Sequence, residues 1–292
     1  MQTVSVDKWT PLAVPSKFCD YINDHTIYIN RDRQFKLLGT CGTHPYRFYK
    51  ERSFVEFTGS TGLLDRMTEN KVLLGKQPLS LPKYSPFVFF DTVSQKYHLF
   101  FSSLGRIYHF ISDNGDGWNF WDISIKSLMP YLRDPFVLRH GGRYLMFLTE
   151  FGNKIVVYES DDLICFRFKA TVFSLGKGVP RSFNSACESP TVVNFKNEFL
   201  LFTTIVPSPF GRKENYNKTY VFCSEDPFDF GHFSNTKTNN TKLVGILECH
   251  APEIISYGEK YYITTCGWSG YPKPKEISDN PNGVYISRLK IE

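Results

Sequence analysis

SPFVFFDTVSQKYHLFFSS, residues 85–103, sets two aromatic and aliphatic runs on either side of a polar turn. Short runs of this kind, bounded by turn formers, read as the two strands of a β-hairpin. The plan recurs as HTIYINRDRQFKLLGT from His25, DPFVLRHGGRYLMFLTE from Asp134, SPTVVNFKNEFLLFTT from Ser189 and APEIISYGEKYYITTCG from Ala251. Gly141-Gly142 and Asn197 supply turn chemistry between strands. A further strand follows most copies: IYHFISDNGDGWNFW from Ile107, IVVYESDDLICFRF from Ile155 and TYVFCSEDPFDFGHF from Thr219, each closed by Ser, acidic residues and an aromatic. Three or four strands repeated five times, roughly 48 to 62 residues apart, predict an all-β chain folded as a five-bladed β-propeller. The last copy ends one strand short with GVYISRLKIE from Gly283, and TVSVDKW from Thr3 is expected to supply the missing outer strand.

The whole length, 1–292, reads as a single catalytic domain, near the upper size for one hydrophobic core. A composition of 41% hydrophobic and 22% charged residues excludes disorder and collagen-like structure. No apolar run approaches the roughly 18 residues of a spanning helix, so no membrane is expected as a partner. Lys and Arg exceed Asp and Glu by 34 − 29 = 5, and the excess is scattered. Nucleic acid, which needs clustered cations, is not expected either. Seven cysteines without a Cys-x-x-Cys pair argue against a zinc ribbon or a disulfide framework. With no basic segment and apolar core at residues 1–12, a cytoplasmic setting is expected. The irregular stretches 207–218 and 269–282 read as specificity loops.

In a propeller the innermost strand of each blade lines the central channel. Asp24, Asp134 and Glu188 stand near the start of copies one, three and four, separated by 134 − 24 = 110 and 188 − 134 = 54 residues. Equivalent places in different repeats converge, so three carboxyl groups are expected around one cavity. Like charges crowded together cannot all ionise freely, and at least one pKa should rise. Read singly, each acid is an ordinary turn or loop residue. Glu248 and Glu253 flank His250 and are rival acids.

The ordered set IND with Asp24, RDPFV with Asp134 and CESPTVV with Glu188 resembles the signature of five-bladed propeller glycosidases, above all glycoside hydrolase family 43. The resemblance spans nearly the whole chain. It implies Asp24 as general base, Asp134 as the residue that orients substrate and tunes the acid's pKa, and Glu188 as general acid. His250 in ECHAPEI resembles the axial histidine of such enzymes, often beside a water or metal ion. No catalytic metal or cofactor is implied, although a structural ion such as calcium near His250 is compatible with it. Two places depart from the family: His25 stands where a Pro usually follows the first Asp, and Tyr84-Ser85-Pro86 replaces Trp-Ala-Pro. Arg133-Asp134-Pro135 is similar to the RDP of family 32, in which the first Asp is instead a nucleophile.

The resulting expectation is a glycosidase acting on a carbohydrate substrate, a furanoside or pentoside such as an α-L-arabinofuranoside. The alternatives are a fructoside-cleaving or glycosyl-transferring relative and a noncatalytic sugar-binding propeller. His25, Arg133, His250 and Trp268 are the candidate substrate contacts, with Arg181 and Arg212 as weaker ones. Trp118, in the repeated outer turn, reads as a packing residue. Asp24 and Glu188 come from non-adjacent blades and should face each other across the channel, leaving room for a water and favouring inversion.

Overall fold

The aromatic runs pair into five sheets set in a ring, antiparallel except where His232–Phe233 adds a short parallel strand beside Leu175, in a computed structural model that describes residues 2–42, 51–74, 81–126, 132–176, 187–205, 217–234, 242–266, 277 and 282–292. Blade 1 comprises Tyr21–Ile29, Phe35–Gly42, Ser53–Thr58 and Thr68–Leu73. Blade 2 comprises Tyr84–Asp91, Lys96–Ser103, Arg106–Ser112 and Asn119–Lys126. Blade 3 runs through Leu132–His140, Arg143–Glu150, Lys154–Ser160 and Arg167–Leu175, and blade 4 through Cys187–Phe195, Glu198–Ile205, Lys218–Ser224 and Leu243–Glu248. The five hairpins expected from the repeats are the first two strands of the five blades.

Blade 5 is assembled from both ends of the chain. Ile254–Tyr257, Lys260–Thr265 and Val284–Ile291 come from the C-terminal side, and Val4–Val6 supplies the outermost strand, with Val4 opposite Ile291 and Val6 opposite Leu289. Thr10–Ala13 also pairs with Val284–Ile291. The closure covers an edge that would otherwise expose unpaired backbone groups.

Second strands, flanked on both sides within a blade and on both faces by neighbouring blades, are the most deeply buried: every residue of Phe35–Gly42 is inside. Outer strands such as Asn119–Lys126 are largely exposed. Five apolar clusters hold the ring together, one at each blade interface. Leu38 and Phe54 meet Leu99, Phe101 and Phe110 between blades 1 and 2. Phe100 meets Met146, Leu148 and Val156 between blades 2 and 3. Phe147 and Phe173 meet Leu201 and Phe222 between blades 3 and 4. Leu200 and Phe202 meet Trp9, Ile263 and Tyr285 between blades 4 and 5, and Ile22 and Leu37 meet Tyr262, Cys266 and Ile286 where the ring closes.

The Ser-acid-aromatic motif has a local cause. In the third strands of blades 3 and 4 the terminal hydroxyl, Ser160 or Ser224, accepts the backbone N–H two residues on. The Asp at that position then accepts N–H groups further along, Asp162 from Ile164 and Cys165 and Asp226 from Phe228. These are side-chain-built turns.

One polar pair sits inside blade 2. His98 Nδ1 and His109 Nε2 lie 2.8 Å apart, with His109 stacked on Phe100. Burial lowers the pKa of His98 to about 4 and of His109 to about 3, from the ordinary 6.5. Both rings are therefore neutral in the fold, whereas the unfolded chain takes up protons below about pH 6.5.

Two outcomes follow from this architecture. Removing Gln2–Val6 should lower the unfolding temperature by roughly 5 to 10 °C, as expected for about 3 kcal/mol of lost ladder and Val packing in a chain of this size. Circular dichroism melting reads this directly, and an unchanged midpoint contradicts closure by the N-terminal strand. The stability this histidine pair contributes should be full above pH 6.5 and fall by roughly 3 kcal/mol per histidine as pH drops toward 4. Urea titrations across that range should show a shallower fall when His98 and His109 are both replaced by Leu.

Candidate active site

Four of the five inner strands carry one residue more than the partner can pair. In blade 2 the ladder steps from Tyr84–Ser102 to Phe87–Phe100, so Ser85 and Pro86 together oppose Phe101. Asp134-Pro135 opposes Leu148 in blade 3, Ser189-Pro190 opposes Thr203 in blade 4, and Asn23-Asp24 opposes Thr40 in blade 1. Such bulges free backbone groups and re-aim side chains. Pro suits the second bulge position, where no ladder N–H is required. The first bulge residue is left-handed in blades 2, 3 and 4, with φ between 50° and 57° at Ser85, Asp134 and Ser189, and Ala251, which likewise precedes a proline ahead of the inner strand of blade 5, has φ 43°. Non-glycine residues rarely hold this conformation, and its concentration at one end of a channel marks a site under functional constraint.

The register corrects one sequence expectation. The three acids do not occupy the same place in their repeats. Glu188 stands just before the bulge, Asp134 is its first residue and Asp24 its second, where the other blades have Pro86, Pro135 and Pro190. Sequence separations that were each close to whole repeats concealed offsets of one residue. Convergence survives because successive bulge positions all face the axis.

The axial side chains bond from blade to blade. Ser85 Oγ lies 2.8 Å from Asp24 Oδ2 and 2.7 Å from Asp134 Oδ1, linking blades 1, 2 and 3. Asp134 Oδ2 accepts from Arg133 Nε at 3.1 Å and from the Ser189 backbone N–H at 3.2 Å. Arg133 Nη2 donates to Glu188 Oε2 at 2.7 Å, and Glu188 Oε1 faces His250 Nε2 at 3.4 Å. His250 Nδ1 donates to the Cys266 carbonyl at 3.1 Å. With that nitrogen protonated, one proton on either Nε2 or Oε1 completes the contact with Glu188. The ring closes where His25 Nε2 meets Thr264 Oγ1 at 2.6 Å and the Cys266 thiol donates to the Asn23 carbonyl.

Part of this cluster floors a cavity of about 310 Å³, including its solvent-filled mouth, whereas Arg133, Glu188 and His250 are not among its lining residues. Asp24, Ser85, Asp134, Ser189, Ala251 and Glu253 line it, along with the bulge prolines. Burial, reinforced by the Asp134 carboxylate, raises the pKa of Asp24 to about 6, while His250 and the Ser85 hydroxyl pull it back. Burial also drives the Glu253 carboxyl well above the usual range. His25 is held neutral, pushed down to about 3 by burial and by His250. It meets the Cys266 sulfur at 3.2 Å, but burial pushes that thiol well up. The pair therefore lacks the thiolate that nucleophilic chemistry requires.

Asp24, Asp134, Glu188, Arg133, His250 and His25 thus converge. His25 and His250 are both nearly inaccessible, with every ring nitrogen committed within the fold. Of the rival acids, Glu253 faces the cavity, and Glu248 lies exposed at the outer edge of blade 4, opposite Lys218. Trp118 packs edge-on against Tyr28. Trp268, Arg181 and Arg212 lie outside the described residues, as do most of both expected specificity loops. Ser85 and the Ser189 N–H were missed at the sequence level. The signal was available in the repeated X-Pro dipeptide, whose first residue always faces the axis. A calcium ion takes six to eight oxygen donors. Among the described residues no three His, Cys, Asp or Glu side chains form a metal site, and the His250 ring offers no oxygen. No step is assigned to a metal.

No protein-family model and no curated protein sequence matches this chain. Solved structures do. The α-L-arabinofuranosidase of Podospora anserina, solved with cellotriose, superposes with a TM-score of 0.66 at 13% identity, covering 97% of this chain and 96% of that one. The Bacillus subtilis arabinanase gives 0.65 at 16% identity over 93% and 94% of the two chains. A thermostable family 43 glycoside hydrolase gives 0.66 at 15% identity over 93% and 92%. At such identities the likeness establishes the fold: this chain is a five-bladed β-propeller with the architecture of those glycoside hydrolases.

Proposed function

We propose that this protein is a glycoside hydrolase acting on furanosides or pentosides, with α-L-arabinofuranosides as the leading substrate class. The observation that carries the reading is the cluster of Asp24, Asp134 and Glu188, from three blades, in which Asp24 and Asp134 line one cavity and share Ser85 while Arg133 ties Asp134 to the buried Glu188 behind them. A binding-only propeller has no use for three mutually repelling acids at its axis. The nearly end-to-end likeness to an α-L-arabinofuranosidase and an arabinanase supports the same substrate class. The seven cysteines, all free, fit the reducing cytoplasmic setting expected from the sequence.

In this reading Glu188 gives its proton to the glycosidic oxygen as the bond to the anomeric carbon breaks. Asp24 takes a proton from the water that adds to that carbon. Asp134, anchored by Arg133 and the Ser189 N–H, holds sugar hydroxyls. Arg133 is the partly exposed cation between two acids, able to meet the substrate as well. After one turnover Asp24 carries a proton and Glu188 has lost one, and exchange with solvent resets the pair.

Glu188→Gln should lower turnover by roughly 10²- to 10⁴-fold on glycosides with poor leaving groups and far less on activated aryl glycosides. Asp24→Asn should impair both types alike, because both need the activated water. A panel of chromogenic and natural glycosides reads the difference, and equal rates for parent and Glu188→Gln on every substrate would remove Glu188 from the chemistry.

The stereochemical course separates two mechanisms. Inverting enzymes keep their carboxyl groups roughly 6.5 to 9.5 Å apart to admit water, whereas retaining ones hold them at about 5 to 5.5 Å. Blades 1 and 4 are not neighbours, so inversion is expected. Proton NMR of the first-formed anomer checks it; initial retention would assign Asp24 as a nucleophile, in the manner of the fructoside-cleaving alternative.

A further inference from the structure

The Ser85 hydroxyl lies within hydrogen-bond distance of two carboxyl groups, 2.8 Å from Asp24 and 2.7 Å from Asp134, yet it owns one proton. Two full hydrogen bonds at those distances need a second proton, supplied by one of the acids. Asp134 already accepts from Arg133 and from the Ser189 N–H, both of which stabilise its anion. Among the described residues it is Ser85 that donates to Asp24. The second proton therefore belongs on Asp24.

We propose that Ser85 is a positioning residue that holds one proton between Asp24 and Asp134, so that acids from blades 1 and 3 load and release that proton through a single hydroxyl. In the loaded state the Asp24 O–H donates to Ser85 Oγ, and the Ser85 O–H donates to Asp134 Oδ1. Loss of one proton to solvent leaves Asp24 anionic, with the Ser85 O–H as the donor that stabilises it. The Ser85 O–H thereby turns from Asp134 Oδ1 to Asp24 Oδ2, while Asp134 Oδ2 keeps the Arg133 and Ser189 donors. Its consequence for catalysis rests on the function proposed above, whereas the proton sharing itself does not.

The groups facing Asp24 fix the direction of the effect. Asp134 and Glu188, from blades 3 and 4, disfavour its ionisation, and His250, from blade 5, favours it. Tyr21, Glu51, Tyr84 and Cys266 also surround it; burial pushes all four upward, Glu51 to about 8, so they add little charge near neutral pH. Deleting the Ser85 hydroxyl removes a donor from the Asp24 anion and leaves the repulsion untouched. Ionisation of Asp24 should then require higher pH.

The test uses Ser85→Ala and Ser85→Gly. Both remove the hydroxyl, and Gly also relieves the left-handed backbone at φ 50°, which separates loss of the proton bridge from altered strain. Carboxyl ¹³C NMR of the free, folded protein, assigned with Asp24→Asn, should place the Asp24 midpoint near 6 in the parent and about one pH unit higher in both variants. In turnover assays the acidic limb of kcat/KM should move upward by the same amount, since a base must be ionised to act. A merely structural serine would lower the plateau and leave the limb in place. An Asp24 midpoint unmoved in both variants overturns the proposal even if the enzyme is active. A shifted midpoint in a protein without glycosidase activity upholds it and refutes the functional reading instead.

Discussion

A single unpaired residue pair at the start of four of the five inner strands organises this molecule. The bulge breaks the ladder at the one place where five strands approach a common axis, and it aims side chains that would otherwise alternate between sheet faces into the channel. The groups thereby released are too buried to rely on water and must satisfy one another. They do so between blades: Asp24 with Ser85, Ser85 with Asp134, Asp134 with Ser189, Glu188 with His250, and His25 with Thr264. The polar ring is thus a product of the bulges as much as a functional site.

Crowding acids in such a ring has an electrostatic cost, and the fold meets it in three ways. Arg133 spans two of them with charge-assisted bonds from one guanidinium. A backbone N–H from the next blade supports Asp134. Asp24, with one hydroxyl as its donor among the described residues, is left with a raised pKa. The unequal treatment of chemically similar carboxyls is what separates proton carriers from fixed anions. It comes from which blade each acid sits on, because the neighbour across the interface supplies the donors.

Around this polar axis the stabilising area is apolar and lies between blades. Each of the five clusters joins two sheets, so no blade owns its core. The ring is only as complete as its last interface, and Val4–Val6 closing onto Val284–Ile291 ties the chain ends into the same blade. Val4 presses directly against Gly245 of blade 4, where a Cβ would collide with its side chain. The N-terminal strand therefore reaches across to the neighbouring blade as well as completing its own.

The repeat of apolar runs and turns determined the five blades, the hairpin at the head of each and the strand exchange at the termini, because these depend on local alternation and turn chemistry that every copy carries in its own residues. It also placed Asp24, Asp134 and Glu188 near one another, since bulge-proximal positions of any blade face the axis. Their order within the bulge was decided only in three dimensions: offsets of one residue are invisible when repeat lengths themselves vary by more than that. Ser85 looked like a departure from a family pattern, and nothing in its own segment shows that it lies between two acids drawn from other blades. The commitment of His25 and His250 to inward hydrogen bonds and the raised pKa of Asp24 likewise needed the assembled ring. Burial, donor supply and like-charge repulsion at this site are set largely by neighbours from 49 to 243 residues away in sequence, and a chain's local pattern carries no record of them.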